Sequence, residues 1–434
     1  MKFRTTDKAA MPGRPDIASA AGDYMTRQEA LAFLGVKQQT LYSYVSRGFI
    51  RSISQPDGRT SYYPREDVLK MRAKSAARSG HGAVAASAMR WGEPVIETRI
   101  TELTNQGPCY RGHLAIDLAR QGYSFESVAE FLWGSALVNE PHSWRGLSLP
   151  PSFPALLREC AALHHQPHFP QLLASATVVL GIADGSLKDR YRAGSTPVQT
   201  ARFLIRALVG VFGFLRGEDK YVQLDDEESV AQGLLRTLGL NCGSEQVKAL
   251  NAALVLVADH ELNPATFAAR IAASCGADMH ACVGAAINTH YSLEIGCACD
   301  RVEDIFAISA TSDAIIARAT KLRAMGRKLP GFDHHLYPGG DPRAHALIEM
   351  AKSTAGADTK PIFQALTHLE AEFDTHPSVE GGLVFLCRTL GIARGGASGL
   401  YALGRCAGWI AHIMEQRSAG YMIRPRAKFK SGLQ

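Results

Sequence analysis

From Trp91 to the carboxyl end, apolar residues recur with helical spacing, for instance over 201–215, 245–257, 344–352 and 400–415. Strand signals are few, the clearest lying at 95–103, and no repeat with a period of about 20 to 50 residues is visible. A 3.6-residue period cannot line one face of a strand, so the larger part of the chain is expected to be mainly α. The 434 residues, 46% apolar and 20% charged, exclude disorder and collagen-like repetition as overall descriptions. Length alone allows two to four domains at roughly 100 to 200 residues each. The longest nearly unbroken apolar stretches, 172–183 and 207–215, fall short of the roughly 18 residues that span a bilayer. Met1, Lys2, Phe3 and Arg4 do not open a secretory signal, so a cytoplasmic location is expected. The nine cysteines show no CxxC pair, which points to free thiols and to no metal site.

Charge divides by position. Residues 1–80 carry 14 Lys and Arg against 7 Asp and Glu, whereas the rest carry 33 against 34. Within that basic portion, residues 1–24 read as a flexible tail. Thr26-Arg27-Gln28-Glu29 then forms a capping box for a helix over 27–34, closed by Gly35. A second helix over 37–47 places Leu41 and Val45 four apart on an inner face. Strands over 50–54 and 60–63 follow, joined by Gln55-Pro56-Asp57-Gly58-Arg59, a hairpin sequence. This order resembles the winged helix-turn-helix of the MerR and excisionase type, over residues 25–74. In such a domain the second helix enters the major groove and nearby cations neutralise phosphates. The DNA-contact candidates are therefore Lys37, Gln38, Gln39, Thr40, Tyr42 and Arg47 on the helix, with Arg51 and Arg59 on the wing. Small units of this kind also serve as protein docking modules. Residues 75–92, rich in Ala, Ser and Gly, have linker composition.

Three segments of the body stand out chemically. In Asp259-His260-Glu261-Leu262-Asn263-Pro264, Asn263 can cap and Pro264 can start a helix, which holds His260 just outside a helix N-terminus. Pro330-Gly331-Phe332-Asp333-His334-His335 presents two histidines on a loop, and Gly339-Gly340-Asp341-Pro342-Arg343 opens another helix. Arg343 in that first turn opposes the macrodipole, a conflict that a bound anion would remove. Arg405 sits inside the apolar run 404–414, and Ile423-Arg424-Pro425-Arg426 closes the chain.

These segments resemble the citrate and methylcitrate synthase family, as do Cys109-Tyr110-Arg111-Gly112, residues 125–134, Thr266-Phe267-Ala268-Ala269-Arg270 and Ala407-Gly408-Trp409-Ile410-Ala411-His412. The resemblance implies large and small helical domains over 93–434, with the small lobe at about 297–385, closing over substrate in an intertwined homodimer. It implies condensation of an acyl-CoA, acetyl-CoA first, with oxaloacetate, CoA being a co-substrate and no cofactor being permanently bound. By motif position, His260 and His334 would polarise oxaloacetate. Arg343, Arg405 and Arg424 would clamp its carboxylates, Arg424 reaching in from the partner subunit, and Glu380 would be the base. Pro330, Gly331 and Phe332 fall in the CoA-contacting loop. Two departures stand against this pattern: Ile295 replaces the histidine that donates to the thioester oxygen, and Asp333 replaces a glycine, adding negative charge near CoA. His290, five residues upstream, is a possible substitute donor. A second reading follows, that of a non-catalytic transcription regulator sensing a di- or tricarboxylate or a CoA ester.

Overall fold

The computed structural model describes residues 24–46, 49–54, 61–65, 67–69, 71, 96–139, 144, 149–163, 169–183, 196–217, 220–292, 297–307, 311–356 and 359–425. Arg47, Arg59 and Ile295 lie outside the described residues, as do the hairpin turn 55–60 and the expected linker 75–92. The chain divides into two compact units, Met1–Glu97 and Thr98–Gln434.

In the first unit, strand β1 (Tyr24–Thr26) leads into helix α1 (Arg27–Leu34) through the capping box read from the sequence. The Thr26 hydroxyl accepts from the Glu29 amide at 3.3 Å, and the Glu29 carboxylate accepts from the Thr26 amide at 2.8 Å. Two orphan donors of the first turn are thereby satisfied. Gly35, at φ 65°, turns the chain out of the helix. Helix α2 (Gln38–Ser46) follows, then β2 (Ile53–Ser54) and β3 (Ser61–Pro64), with β3 pairing antiparallel to both β1 and β2. Met25, Ala30, Leu41, Ile50, Tyr63, Val68 and Met71 form its core.

The second unit opens with a small antiparallel sheet, β4 (Thr101–Thr104), β5 (Gly107–Tyr110) and β6 (His113–Leu114). Helices then dominate: α3 (Ala115–Arg120), α4 (Phe125–Leu132), α5 (Phe153–Ala162), α6 (Phe169–Ala183) and α7 (Pro197–Val211), the last running on into a 3₁₀ turn, Phe212–Arg216. Next come α8 (Val230–Thr237), α9 (Ser244–Leu256), α10 (Pro264–Ser274), α11 (Met279–His290), α12 (Cys297–Ala307) and α13 (Ser312–Ala324). The chain ends with α14 (Pro342–Ser353), α15 (Lys360–Phe373), α16 (Val379–Leu390) and α17 (Gly396–Ala419). The expected strand at 95–103 is shorter and later, because the 99–100 bend precedes β4. Among the described residues one helical stretch, Pro197–Arg216, is long and apolar enough by composition to cross a membrane, and 67% of its most apolar window is buried.

Helix α17, 24 residues and so about 36 Å long, is buried along most of its length and packs on α4, α9, α10, α11, α12 and α16. Such a helix needs small residues where neighbours approach closely. At Gly408 the backbone N–H donates to the Ala258 carbonyl at 2.9 Å. A Cβ there would lie 2.2 Å from the Asp259 carboxylate and 2.6 Å from the Ala258 oxygen. Gly408→Ala is therefore expected to destabilise the protein by about 1 to 3 kcal/mol, read as a lowered denaturant midpoint; an unchanged midpoint would mean that α17 and the 258–259 segment can part freely.

Candidate active site

The site is assembled where the loop after α9, the 330–341 loop, the start of α16 and the middle of α17 meet. Tyr110, last residue of β5, rivets the first loop. Its buried hydroxyl lies 3.1 Å from the Val255 carbonyl and accepts from the Asp259 amide at 3.1 Å. Asn263 caps α10, its side-chain oxygen accepting from the Thr266 amide at 2.9 Å, and Pro264 takes the first helical position. Glu261, at φ 55°, makes the tight turn between them. His260 is thereby fixed before the helix, 9% exposed.

The second loop is clamped to the segment before α16. Gly331 (φ 78°) accepts at its carbonyl from the Ser378 amide at 2.8 Å, and Phe332 bridges to Pro377. A Cβ on Gly331 would sit 2.3 Å from Val302, so only glycine fits this crossing. Asp333 is exposed, but its carboxylate accepts from the Thr375 hydroxyl at 2.8 Å and the His376 amide at 3.1 Å. The added negative charge expected from the sequence is thus engaged in closing this loop. His334 follows, its Nδ1 accepting from the Leu336 amide at 3.2 Å. That bond assigns the proton of the neutral ring to Nε2, which is left as a donor. The His260 ring lies 5.7 Å from the His334 ring, centre to centre, and its Nε2 is 3.3 Å from the Tyr337 hydroxyl.

Two buried arginines complete the cluster. Arg343, in the first turn of α14, is locked bidentately to Asp341, with Nε and Nη2 donating at 3.0 and 2.7 Å. The N-cap residue itself supplies the anion that the sequence reading assigned to a ligand. Asp341 also accepts from the Val379 amide at 3.2 Å, joining α14 to α16. Arg405 is wholly buried on α17, with Nη2 donating to Thr266 at 3.1 Å and Nη1 3.6 Å from Asp259. Asp259 also faces His412 Nε2 at 3.4 Å, and Arg270 Nε donates to His412 Nδ1 at 3.1 Å. Because guanidinium only donates, this fixes the His412 proton on Nε2, facing the carboxylate. Burial alone would raise the Asp259 pKa, yet His412 and Arg405 hold it down at about 2.

Charge is balanced, but hydrogen-bonding capacity is not. Arg343 Nη1 and Arg405 Nε and Nη1 are buried with no hydrogen-bond partner among the described residues. The imidazoles stay neutral: burial, then Arg343 and Arg405, push His260 well below its ordinary value, and burial with Arg343 brings His334 down to about 4. Glu380, in the first turn of α16, accepts a short hydrogen bond from the Ser378 hydroxyl. Burial raises its pKa, opposed by Ser378 and Arg343.

The structure thus brings together His260, His334, Arg343, Arg405 and Glu380, with Pro330, Gly331 and Phe332 on the adjoining loop. It does not bring in Arg424 of the same chain. Arg424 is exposed, and the neighbouring Ile423 amide is bound to Ser274 at the far end of α10 from His260, about 15 Å along that helix. His290 is 1% exposed and packed edge-on against Tyr401 and Trp409, at 4.6 and 5.6 Å, rather than free to move with a loop. Sequence reasoning missed Asp341, Tyr337 and Asp259, although the first lies two residues from Arg343. On the first unit, Lys37, Gln38 and Gln39 are exposed, Thr40 is half-buried, and the Tyr42 hydroxyl accepts from Gln38 at 2.7 Å. Arg51, its side chain 70% exposed, forms a bidentate pair with Asp67 at 2.8 and 3.0 Å. Among the described residues no group of three or more His, Cys, Asp or Glu could hold a metal ion.

Comparison with known proteins decides the family. The model of the citrate synthase C-terminal domain matches residues 88–426. The chain belongs to the citrate synthase family. Citrate synthase 2 of Bacillus subtilis is 30% identical over 235 residues, 52% of this chain and 62% of the relative. The 2-methylcitrate synthase of Shewanella oneidensis is 29% identical over 215 residues, 48% of this chain and 56% of the relative. The matched region spans about three fifths of the length of these curated relatives. Citrate synthase of Thermoplasma acidophilum, solved with carboxymethyl coenzyme A and oxaloacetate, superposes with a TM-score of 0.67 at 20% identity, covering 79% of this chain and 95% of that one. The Thermotoga maritima enzyme gives 0.65 at 21%, covering 80% and 96%. The body therefore has the mainly helical citrate synthase fold.

The environment of His290 makes a pH prediction. Both its ring nitrogens lack hydrogen-bond partners among the described residues, and burial, with Arg405 nearby, pushes its pKa down to about 3. An unfolded imidazole titrates near 6.5, so below about that pH the unfolded chain binds a proton that the native state refuses. Stability then falls with acidification by about 1.4 kcal/mol per pH unit for this one group. His290→Phe is expected to flatten the slope of unfolding free energy against pH by about that amount between pH 6.5 and 4.5. Denaturant melts across this range give the slope, and an unchanged slope would mean that His290 is protonated in the native state.

Proposed function

We propose that the chain condenses an acyl-CoA, acetyl-CoA first, with oxaloacetate. What supports this reading is the convergence of two neutral imidazoles, two buried guanidiniums with unused N–H groups and a half-buried carboxyl at one place. A small dicarboxylate would use the free faces of Arg343 and Arg405, with its keto oxygen taking the Nε2–H of His334 and with His260 beside it. Glu380 would take a proton from the acyl α-carbon, the enolate carbon would bond to the keto carbon, and the resulting alkoxide would be protonated. Attack of water on the thioester then releases the CoA thiol. In this reading Pro330, Gly331 and Phe332 border the CoA site, CoA enters as co-substrate, and Arg424 of the partner subunit completes the pocket in a homodimer. Residues 297–385 form the smaller, closing lobe.

Thiol release from acetyl- or propionyl-CoA, dependent on oxaloacetate, is the expected observation. No release above a boiled control, together with calorimetric binding of citrate or oxaloacetate, would leave a sensor instead of an enzyme. Ile295, in place of a donor worth roughly 100- to 1000-fold in turnover, favours that second reading. Ile295→His is expected to raise turnover; no gain would mean that the residue does not face the thioester.

We further propose that residues 25–74 are a winged helix-turn-helix that binds DNA through Lys37, Gln38, Gln39, Thr40 and Tyr42, with Arg47, Arg51 and Arg59. Supporting this are the basic excess of residues 1–80 and the exposed polar start of α2. The full chain is expected to protect a site upstream of its own coding sequence at about 0.15 M salt more strongly than random duplex. Equal affinity for both would reduce the contact to phosphate attraction, and no binding would point to a protein-docking role.

A further inference from the structure

If Ile295 occupies the place of the histidine donor, the condensation proposed above lacks a hydrogen bond to the thioester oxygen. The pocket contains another group suited to that task. Tyr401 stands one helical turn before Arg405 on α17, and this four-residue spacing puts both side chains on one face. Its ring is 5% exposed and backed by the edge of His290 at 4.6 Å. The charged groups bearing on it are Glu380 from α16, Arg343 from α14 and Arg405 from its own helix, with the Cys299 thiol of α12 also near. Groups on α12, α14, α16 and α17 therefore all bear electrostatically on this one phenol. The Tyr401 hydroxyl makes no hydrogen bond among the described residues, and it is not among the wholly buried polar atoms left without a partner. Guanidiniums cannot accept from it, and no hydrogen bond joins it to the Glu380 carboxylate, which accepts from Ser378. His290 is the poorer candidate, since the one charged group bearing on it is Arg405 and its ring lies against Tyr401 and Trp409.

We propose that Tyr401 is a further catalytic residue, whose phenol donates a hydrogen bond to the acyl thioester oxygen as negative charge develops there. The inference rests on the condensation reading. The phenol keeps its proton throughout, while the α-proton goes to Glu380. Burial and the adjacent Glu380 raise its pKa above the ordinary value, against the pull of Arg343 and Arg405, so the donor persists at neutral pH.

Tyr401→Phe removes the hydroxyl and leaves the ring. In the full-length protein, kcat for oxaloacetate-dependent thiol release is expected to fall about 100- to 1000-fold. Oxaloacetate affinity by calorimetry should stay within about threefold and the melting temperature should be retained. A kcat within about threefold of the unmodified protein overturns the inference, as does a loss confined to oxaloacetate affinity, which would place the phenol on the dicarboxylate. If the unmodified protein releases no thiol, the condensation reading falls and takes this inference with it. Turnover that survives Tyr401→Phe sinks this inference alone.

Discussion

The buried carboxylate of Asp259 is the interaction on which the candidate site depends. Arg405 has no exposed surface, and a lone guanidinium in that position would carry an uncompensated desolvation cost of several kcal/mol. Asp259 supplies the countercharge at 3.6 Å. The same residue is held through its amide by Tyr110 and packs against the bare backbone of Gly408. One side chain therefore fixes the charge on α17, the end of α9 and the loop bearing His260. Removing it would strand a buried cation and release the histidine together, which is why loss of either effect could not be separated by a change at Asp259 itself.

Arg343 repeats this logic with a different geometry. Its carboxylate partner is the N-cap of its own helix, so a cation that would oppose the macrodipole is neutralised locally. Neither pair saturates its guanidinium, and the unused N–H groups of both sit among neutral imidazoles. An internal anion satisfies charge, whereas only an additional acceptor can satisfy the remaining donors. This difference between neutralisation and saturation is what separates a structural ion pair from a site prepared for an anionic ligand.

Local rules were legible in the sequence wherever cause and effect lie within one turn. Thr26 with Glu29, and Asn263 with Pro264, read directly as helix starts, and the helical period gave α9, α14 and α17 to within a few residues. Resemblance placed His260, His334, Arg343 and Arg405. Side-chain direction was not legible: nothing in the spacing of Asp341 says that its carboxylate turns back onto Arg343. The Arg51–Asp67 pair was not legible for a related reason, since its partners lie 16 residues apart. The packing of His290 against Tyr401 and Trp409 was not legible either, because those rings come from another helix.

Helix α17 is the element that turns these separate pairings into one framework. At its start, acidic residues of α12 meet the positive end of the helix: Glu303 accepts from the Gly395 amide at 2.9 Å, Asp300 from the Ser398 hydroxyl at 2.8 Å, and Asp304 pairs with Arg394. In its middle it carries Tyr401 and Arg405. Farther on, His412 and Gln416 receive Arg270 of α10. A displacement of α12 therefore acts on the same rigid rod that aims Arg405, and the rod cannot rotate without breaking the Asp259 and Arg270 contacts together. Glu303, raised to about 7 by burial against the pull of the Gly395 amide, is the weakest of these clasps near neutrality, whereas the Asp259 pairing at the centre stays ionised throughout that range. The framework is thus firmest where the buried arginine is held and most yielding where α12 meets the helix end.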